Sequence, residues 1–409
     1  MTVDVLVIGG GPAGLTAASR LRELGVEDVV VVERESQAGG IPRHSDHSGY
    51  GVRDLRTVLT GPSYARRLTE RAQDHGARIR TSTMVTGWDG ELALAITSPS
   101  GRERVDARAI VLATGARERP RTARRIPGDR PGGVLTTGQL QQLVHLHHRS
   151  VGTRAVVVGS ELVSWSAVLT LREVGCSVVA MTTERDRPEA YGPLTAAGRV
   201  GLRVPVARRT RVVRVLGRDR VTGVEIEHLD TGARRVLSCD TVVFTADWIP
   251  DSELARMAGL DLDVGHLGPV VDAALRTSRP GVFAAGNLLH PVDTADVAAL
   301  DGRHVADQVV SFLAGDIAAP PGVRVRAQAP LRWVTPGIWR PGEAPPRGRL
   351  LSWVDEFRAL PTVMVRQGDD VIGRRRLAWP AAPGRVFRIP AGVLDGVRPD
   401  GPGVTIGLS

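Results

Sequence analysis

The sequence predicts an α/β protein with two Rossmann-like dinucleotide-binding domains and a small C-terminal β-rich domain. Three stretches carry that prediction: a strand, glycine turn, helix and second strand over residues 4–33; a strand that runs into Ala113-Thr114-Gly115; and residues 272–287, which close on Gly286-Asn287. In each, a strand leads into a turn of small residues that lets backbone pass close to a bound group.

In the first stretch, Asp4-Val5-Leu6-Val7-Ile8 is an apolar strand, Gly9-Gly10-Gly11-Pro12-Ala13-Gly14 fits G-x-G-x-x-G, and residues 15–24 continue with helical periodicity. Gly9 permits the tight turn, Gly11 leaves room for a pyrophosphate, and Gly14 lets the helix pack closely on the strand. The helix N-terminus then offers free N–H groups to phosphate. Val29-Val30-Val31-Val32 is the next buried strand, and Glu33 at its end is placed to accept a hydrogen bond from an adenosine ribose 2′-hydroxyl. With strands, helix and terminal acid in register, the unit points to an adenine dinucleotide, FAD in preference to FMN.

The other two stretches extend this to a whole flavin domain. With all three in place, the chain resembles the flavoproteins with two dinucleotide-binding domains, the glutathione reductase structural family. In that family the third stretch ends Gly-Asp, and the acid holds the ribityl chain of the flavin. Asn287, the only asparagine of this sequence, stands there instead. An amide still hydrogen-bonds a hydroxyl in either direction, so the resemblance implies FAD binding with one negative charge fewer near the flavin.

At 409 residues and 42% hydrophobic, the chain can bury more than one core, and two or three domains are expected. No apolar run approaches the roughly 20 residues that span a bilayer, and the first strand starts too early to leave room for a signal peptide, so a cytoplasmic location is expected. Cys176 and Cys239 are too few for a disulfide framework or a four-thiolate cluster. All 53 basic residues are arginine, and their excess is uneven: residues 320–409 hold 14 arginines against 7 carboxylates, while the rest of the chain is close to neutral. That tail also holds Trp333, Trp339, Trp353 and Trp379. Arginine with tryptophan suits a protein interface, and it equally suits a small β domain with surface arginines and core tryptophans. On the interface reading the tail docks onto a second copy or a separate partner protein, with no nucleic acid or membrane partner. Its removal is then expected to leave FAD binding largely intact, because every flavin motif lies upstream.

The expected order is a discontinuous FAD domain over residues 1–117 and 265–317, an inserted nucleotide-type domain over 118–264 and a β-rich domain over 318–409. Glu118-Arg119-Pro120-Arg121 is polar and proline-containing, as a crossover should be. The inserted domain opens on Arg154-Ala155-Val156-Val157-Val158-Gly159 and a helix over 162–174. In the tail, Thr362-Val363-Met364-Val365-Arg366 and residues 384–389 read as strands.

The inserted domain's turn reads Gly159-Ser160-Glu161-Leu162-Val163-Ser164, with Glu161 and Ser164 where the second and third glycines belong. An ionised carboxylate at Glu161 repels pyrophosphate. Alternatively Glu161 points away and a nucleotide sits there for structural reasons, or the domain is retained as scaffold; use of NAD(P) is therefore open. In the reductase branch of the resembled fold, a Cys-x(2 to 4)-Cys pair beside the flavin relays electrons to a disulfide. After Gly39-Gly40 this chain has Ile41-Pro42-Arg43-His44-Ser45-Asp46-His47-Ser48 and no cysteine.

The run Gly-Gly-Ile-Pro-Arg-His, followed by Gly49-Tyr50-Gly51-Val52-Arg53-Asp54-Leu55, resembles the larger flavoprotein subunits of hydrogen cyanide synthase, opine oxidases and heteromeric amine or proline dehydrogenases, over about residues 1–315. Those relatives work with a second, smaller flavoprotein subunit that oxidises the amine. Several carry a cysteine-rich iron–sulfur segment, for which this chain has no cysteines. At this flavin-proximal address the catalytic candidates are Arg43, His44 and His47. An arginine can offset negative charge on the flavin or bind a carboxylate bidentately, and a histidine can exchange a proton near neutral pH. In the other reading Arg43 caps phosphate or ribityl groups and the histidines are hydrogen-bonded loop residues.

The expected cofactor-binding set is Gly9, Gly11, Pro12, Ala13, Gly14, Glu33, Arg34, Gly40, Arg43, Val85, Ala113, Thr114, Gly115, Gly286, Asn287, Thr294 and Ala295. After Asn287 a helix runs through Leu313, capped by Thr294 or Asp293, with its N-terminus toward the flavin pyrimidine. His145, His147 and His148 share a helical stretch without convergent acids or cysteines, so no metal site is expected.

The sequence thus describes an FAD-dependent oxidoreductase, the flavoprotein subunit or partner of an amine, amino-acid or related dehydrogenase or oxidase acting on C–N or C–O bonds of a small molecule. FAD supplies hydride acceptance from a C–H bond and onward transfer to oxygen, a partner flavin or a carrier. A stand-alone NAD(P)H-dependent flavin reductase is the alternative. The third reading is a non-catalytic scaffold that FAD stabilises. The expected assembly is a homo-oligomer or a hetero-oligomer with a second flavoprotein subunit.

Overall fold

The computed structural model describes residues 1–187, 189–190, 192, 198, 201–315 and 322–409. They divide into two compact units, one of Met1–Arg43, Ser48–Ala116 and Pro250–Ser409, the other of His44–His47 and Arg117–Ile249. Three units were expected. In this division the β-rich tail belongs with the first unit, and its arginines pair with carboxylates of residues 263–301. The inserted unit ends at Ile249 and not at 264. The Glu253–Met257 helix already packs in the first unit, where the Trp88 indole N–H donates to the Leu254 carbonyl at 2.9 Å. The expected boundary at 317 lies outside the described residues.

The first unit is built around the Thr2–Ile8 strand. It runs parallel to Val29–Val32 on one side and to Gly101–Leu112 on the other, with Ile8 opposite both Val32 and Leu112. Arg78–Arg80 adds to the outer edge of Val29–Val32, and Val282–Ala284 pairs parallel with residues 110–112. The valine run is buried at every position, as a parallel strand covered on both faces must be. Met84–Trp88 and Ala93–Ser98 complete the sheet as antiparallel strands. Helices Pro12–Glu23 and Ala295–Leu313 cross in close contact, and Gly302 makes the crossing possible: a Cβ there would lie 2.1 Å from the Ala13 carbonyl oxygen. The strand ends, the glycine turn and residues 282–287 thereby converge at one edge of the sheet.

The tail has its own apolar core, including Val325, Leu350, Val363, Phe387 and Ile406, between a five-stranded and a three-stranded sheet. Thr362–Gln367 and Phe387–Pro390 form where alternation predicts strands. Trp333 is buried, Trp339 and Trp353 are half-buried, and Trp379 lies at the surface.

The second unit holds five parallel strands in the order Val134–Thr136, Thr241–Phe244, Arg154–Val158, Ser177–Thr182 and Val206–Ala207, with a separate three-stranded antiparallel sheet. The helix expected over 162–174 spans Leu162–Glu173. Cys176 and Cys239 are both buried here, and burial pushes each thiol up to about 11. Among the described residues, no helix is long and apolar enough to cross a membrane.

Candidate functional site

The first glycine turn is built as its sequence demands. Gly9 has φ +107°, and a Cβ there would lie 2.4 Å from the Ala113 carbonyl oxygen, so only glycine fits between the two strand ends. A Cβ on Gly14 would lie 2.0 Å from the Gly9 carbonyl oxygen, which fixes how closely the Pro12–Glu23 helix starts above the turn. Gly11, the helix N-cap, is different: the nearest atom to a Cβ there is the Gly40 Cα at 4.0 Å. The space at Gly11 is therefore open, as the approach of a pyrophosphate needs. Pro12 follows at the first helical position, where its missing N–H leaves no bond unmade.

Glu33 closes the turn from the neighbouring strand. Its Oε2 accepts the Gly10 N–H at 2.8 Å and its Oε1 the Glu35 N–H at 2.9 Å. Each oxygen retains a lone pair, so the acid can still accept a ribose hydroxyl. Arg34 lies largely in solvent and approaches Asp251 at 3.4 Å. Ala113 is buried at the end of Gly101–Leu112. Thr114 turns its hydroxyl to the Asp251 carbonyl at 2.7 Å, and Gly115 has φ +73°. Val85 is a core residue of the Met84–Trp88 strand, opposite Ile96.

The third stretch supplies the strongest sign of a ligand. Gly286 (φ +73°) leaves no space for a Cβ, which would meet the Ala13 side chain at 2.8 Å. Next to it, Asn287 donates through Nδ2 to the Asp293 carbonyl at 3.0 Å, while its Oδ1 is buried without a hydrogen-bond partner among the described residues. A buried orphan acceptor costs about 1–3 kcal/mol, and a hydroxyl donor relieves it. Asn287 stands where the resemblance places the ribityl contact, so the residues present fit FAD.

Thr294 is the N-cap of Ala295–Leu313 but makes no side-chain cap: its hydroxyl donates to Asp296 and accepts from Arg53 at 2.8 Å, while Asp293 takes the Thr294 N–H at 2.8 Å. Arg53 also donates its own backbone N–H to Asp296 at 3.2 Å, and Tyr64 donates to Asp54 at 2.6 Å. The Gly-x-Gly-x-Arg-Asp-Leu motif thus braces the start of this helix.

Of the three catalytic candidates, Arg43 is engaged within its own loop. Its guanidinium pairs with Glu35 and donates to the Gln37 carbonyl at 3.2 Å. His44 and His47 fall in the other unit of the division. His44 is buried and its carbonyl bonds His145 Nδ1, while His145 Nε2 meets Glu173 at 3.0 Å. His47 Nε2 meets the Ser45 hydroxyl at 3.1 Å, and Gln141 joins Ser45 and Ser166 in a buried polar network. His147 and His148 follow the helical turn Gln142–Leu146. Among the described residues, no group of three or more His, Cys, Asp or Glu side chains is arranged to hold a metal. Sequence reasoning missed Glu35, Ser45, Gln141 and Ser166; only the spacing Glu33-x-Glu35 hinted at the first.

The second glycine turn is closed by its own side chain. Glu161 is 2% exposed and folds back so that Oε2 accepts the Ser160 N–H at 3.0 Å. Ser164 and Thr245 bond each other at 2.6 Å alongside it. Glu189 accepts from Ser160 Oγ at 3.2 Å and Thr183 Oγ1 at 3.1 Å. Burial first, and Glu189 second, push the Glu161 carboxyl up to about 7. Of the two directions open to Glu161, the side chain takes the inward one and does not stand as an exposed carboxylate. Glu161 is an internal group whose carboxyl binds its proton more tightly than an exposed one, and it stands at the N-cap position that Gly11 leaves open in the first turn.

Comparisons with known proteins agree with this geometry. The A subunit of the opine oxidase of Rhizobium meliloti is 27% identical over 346 residues, which cover 77% of this chain and 61% of the relative, so the chain spans about three fifths of that protein's length. A thioredoxin reductase of Treponema pallidum is 28% identical (70% of this chain, 88% of the relative), and a ferredoxin–NADP reductase of Salinispora arenicola is 31% identical (70% and 86%). In structure, the thioredoxin reductase of T. acidophilum superposes with a TM-score of 0.65 at 21% identity over 78% of this chain and 99% of its own. Residues 3–302 match the pyridine nucleotide-disulphide oxidoreductase family, and the chain belongs to that family of FAD-dependent oxidoreductases.

Proposed function

We propose that this FAD-dependent oxidoreductase is the flavoprotein subunit of an amine, amino-acid or related dehydrogenase or oxidase, and that it runs on neither a thiol relay nor NAD(P)H. The observation that carries the reading is the self-closed second turn, where the buried side chain of Glu161 occupies the N-cap position that Gly11 leaves open in the first turn. The two buried thiols, raised to about 11, add that no thiolate is ready at neutral pH. The likeness to the A subunit of an opine oxidase supports a C–N-directed reaction and assembly with a second protein. In this reading Asn287 and Glu33 hold the two ends of FAD, and the loop of Arg43, locked by Glu35, shapes the approach to it.

Anaerobic mixing tests the choice. Slow or absent loss of the 450 nm flavin band with NADH and NADPH, with bleaching by an amine, amino acid or opine in the presence of a co-purifying partner, is the expected result. Rapid bleaching by either nucleotide at micromolar concentration favours the second reading, an NAD(P)H-dependent flavin reductase, which the similarity to ferredoxin–NADP reductase supports.

A further inference from the structure

We propose that the C-terminal β-rich tail is a working part of the flavin site, with Arg388 as a positioning residue for Asn287. The inference rests on the FAD assignment and goes beyond it, because every flavin motif lies upstream of the tail. Three aspartates of the flavin-binding arm each receive an arginine from the tail. Asp272, 1% exposed, takes Arg340 Nε at 2.9 Å; Asp293 takes Arg388 Nη2 through both oxygens at 2.9 and 3.1 Å; Asp301 takes Arg347 Nη1 at 2.6 Å. A buried carboxylate needs a partner, and here all three draw one from the same distant segment.

The bonds form short chains that end at the flavin side. Arg388 sits on the Phe387–Pro390 strand, paired to Arg349–Val354, so its backbone is fixed. It holds the Asp293 carboxylate, whose residue offers its carbonyl to Asn287 Nδ2. That bond engages the amide nitrogen and leaves Oδ1 of Asn287 as the acceptor that a ribityl hydroxyl would use. Between the two lies Val292 at φ +100°, a conformation that a β-branched residue keeps only when its surroundings enforce it. Arg388 and Asn287 both hold Asp293, the residue that follows that strain, one through its carboxylate and the other through its carbonyl. In parallel, Arg347, itself in the left-handed region at φ +59°, holds Asp301 against the buried His290, whose Nδ1 has no partner among the described residues. Burial alone would raise Asp301, but His290 and Arg347 outweigh it and hold its carboxyl at about 2.

A purely adhesive tail would use any of its arginines alike. Arg324 is the internal control, because it meets Asp263 at 3.7 Å, outside the chain of bonds that ends at Asn287. The test compares Arg388→Ala, Arg388→Lys, Asp293→Asn and Arg324→Ala in the full chain, reading the FAD-to-protein absorbance ratio, FAD dissociation by fluorescence, the visible band shape of the flavin that stays bound, and Tm. The expected result is an FAD Kd about tenfold weaker with an altered flavin band in Arg388→Ala and Asp293→Asn, since a charge-assisted contact is lost. Partial recovery in Arg388→Lys and wild-type behaviour in Arg324→Ala complete the pattern. Asp293→Asn keeps the acceptor for Thr294 N–H and serves if Arg388→Ala does not fold. Unchanged FAD affinity and spectrum in both Arg388→Ala and Asp293→Asn overturns the proposal. So does an equal loss in Arg324→Ala that follows Tm, which reduces the contacts to adhesion. A wild-type chain that purifies colourless and takes up no FAD removes the FAD assignment itself.

Discussion

The chain contains the same turn twice, and the two copies differ in what fills them. Gly11 and Glu161 are both helix N-caps with almost one backbone conformation, φ −86° and ψ −175° against φ −81° and ψ −176°. Gly10 and Ser160, one residue earlier, both donate their N–H to a carboxylate, at 2.8 and 3.0 Å. In the first turn the acceptor is Glu33, 23 residues away on the next strand, and the space above Gly11 stays open. In the second the acceptor is the turn's own Glu161, and the space is filled. A dinucleotide turn can thus be closed without changing its backbone, by one side chain that supplies the negative group internally.

Transplanting that side chain gives the largest expected effect. Gly11→Glu meets no steric bar, since a Cβ there has 4.0 Å of clearance, so circular dichroism should match the wild type while the protein purifies colourless, with FAD affinity reduced at least about a hundredfold. Retention of FAD by this variant, or by Gly11→Val, would show that the first turn does not hold the pyrophosphate. Gly14→Ser carries over the other difference. Its Cβ is placed 2.0 Å from the Gly9 carbonyl oxygen, and urea denaturation should report a loss of about 2–4 kcal/mol. A neutral result would mean that the first helix can retreat to the distance Ser164 tolerates.

The second turn can be sharpened by pH. A carboxyl raised to about 7 in the folded chain binds its proton more tightly there than when unfolded, so stability falls as pH climbs from the ordinary carboxylate range through about 7. Glu161→Gln removes the charge and keeps an acceptor for Ser160. Denaturation midpoints should therefore rise at pH 8, by about 1–3 kcal/mol in stability, and hardly move at pH 4.5. Equal effects at both pH values would place the gain in packing and not in charge. The smallest expected change is that of Glu161→Gly, where NADH affinity measured by fluorescence improves about tenfold, because Glu189 and Ser164 still crowd the turn. No gain at all would assign the closure to those neighbours.

Legibility in the sequence followed the range of the interactions. Gly9 could be read because its place in the motif stands in for a contact with distant Ala113. Gly14, Glu33 and the strands around them could be read because each job is done within about thirty residues and depends on size or periodicity alone. The Leu162–Glu173 and Ala295–Leu313 helices were legible for the same reason. The direction of Glu161 was not: whether a carboxylate faces a ligand or folds inward is decided by Thr245 and Glu189, on other elements. In the sequence Arg43 reads as a partner for the flavin, a carboxylate or a phosphate, and its pairing with Glu35 eight residues away is not foreseen. The tail read either as a docking surface or as a small β domain with surface arginines, and neither reading foresaw that four of its arginines meet aspartates of residues 263–301. Charge counts reveal an excess but not its partner.

The two cysteines give the second unit a built-in clock. Burial raises both thiols to about 11, so little thiolate is present at pH 7, and neither side chain is open to solvent. A thiol-reactive dye added to native protein should therefore register only the moments at which this unit opens. The colour of the cofactor follows the other unit, so one cuvette read at two wavelengths can time the failure of each half of the molecule separately.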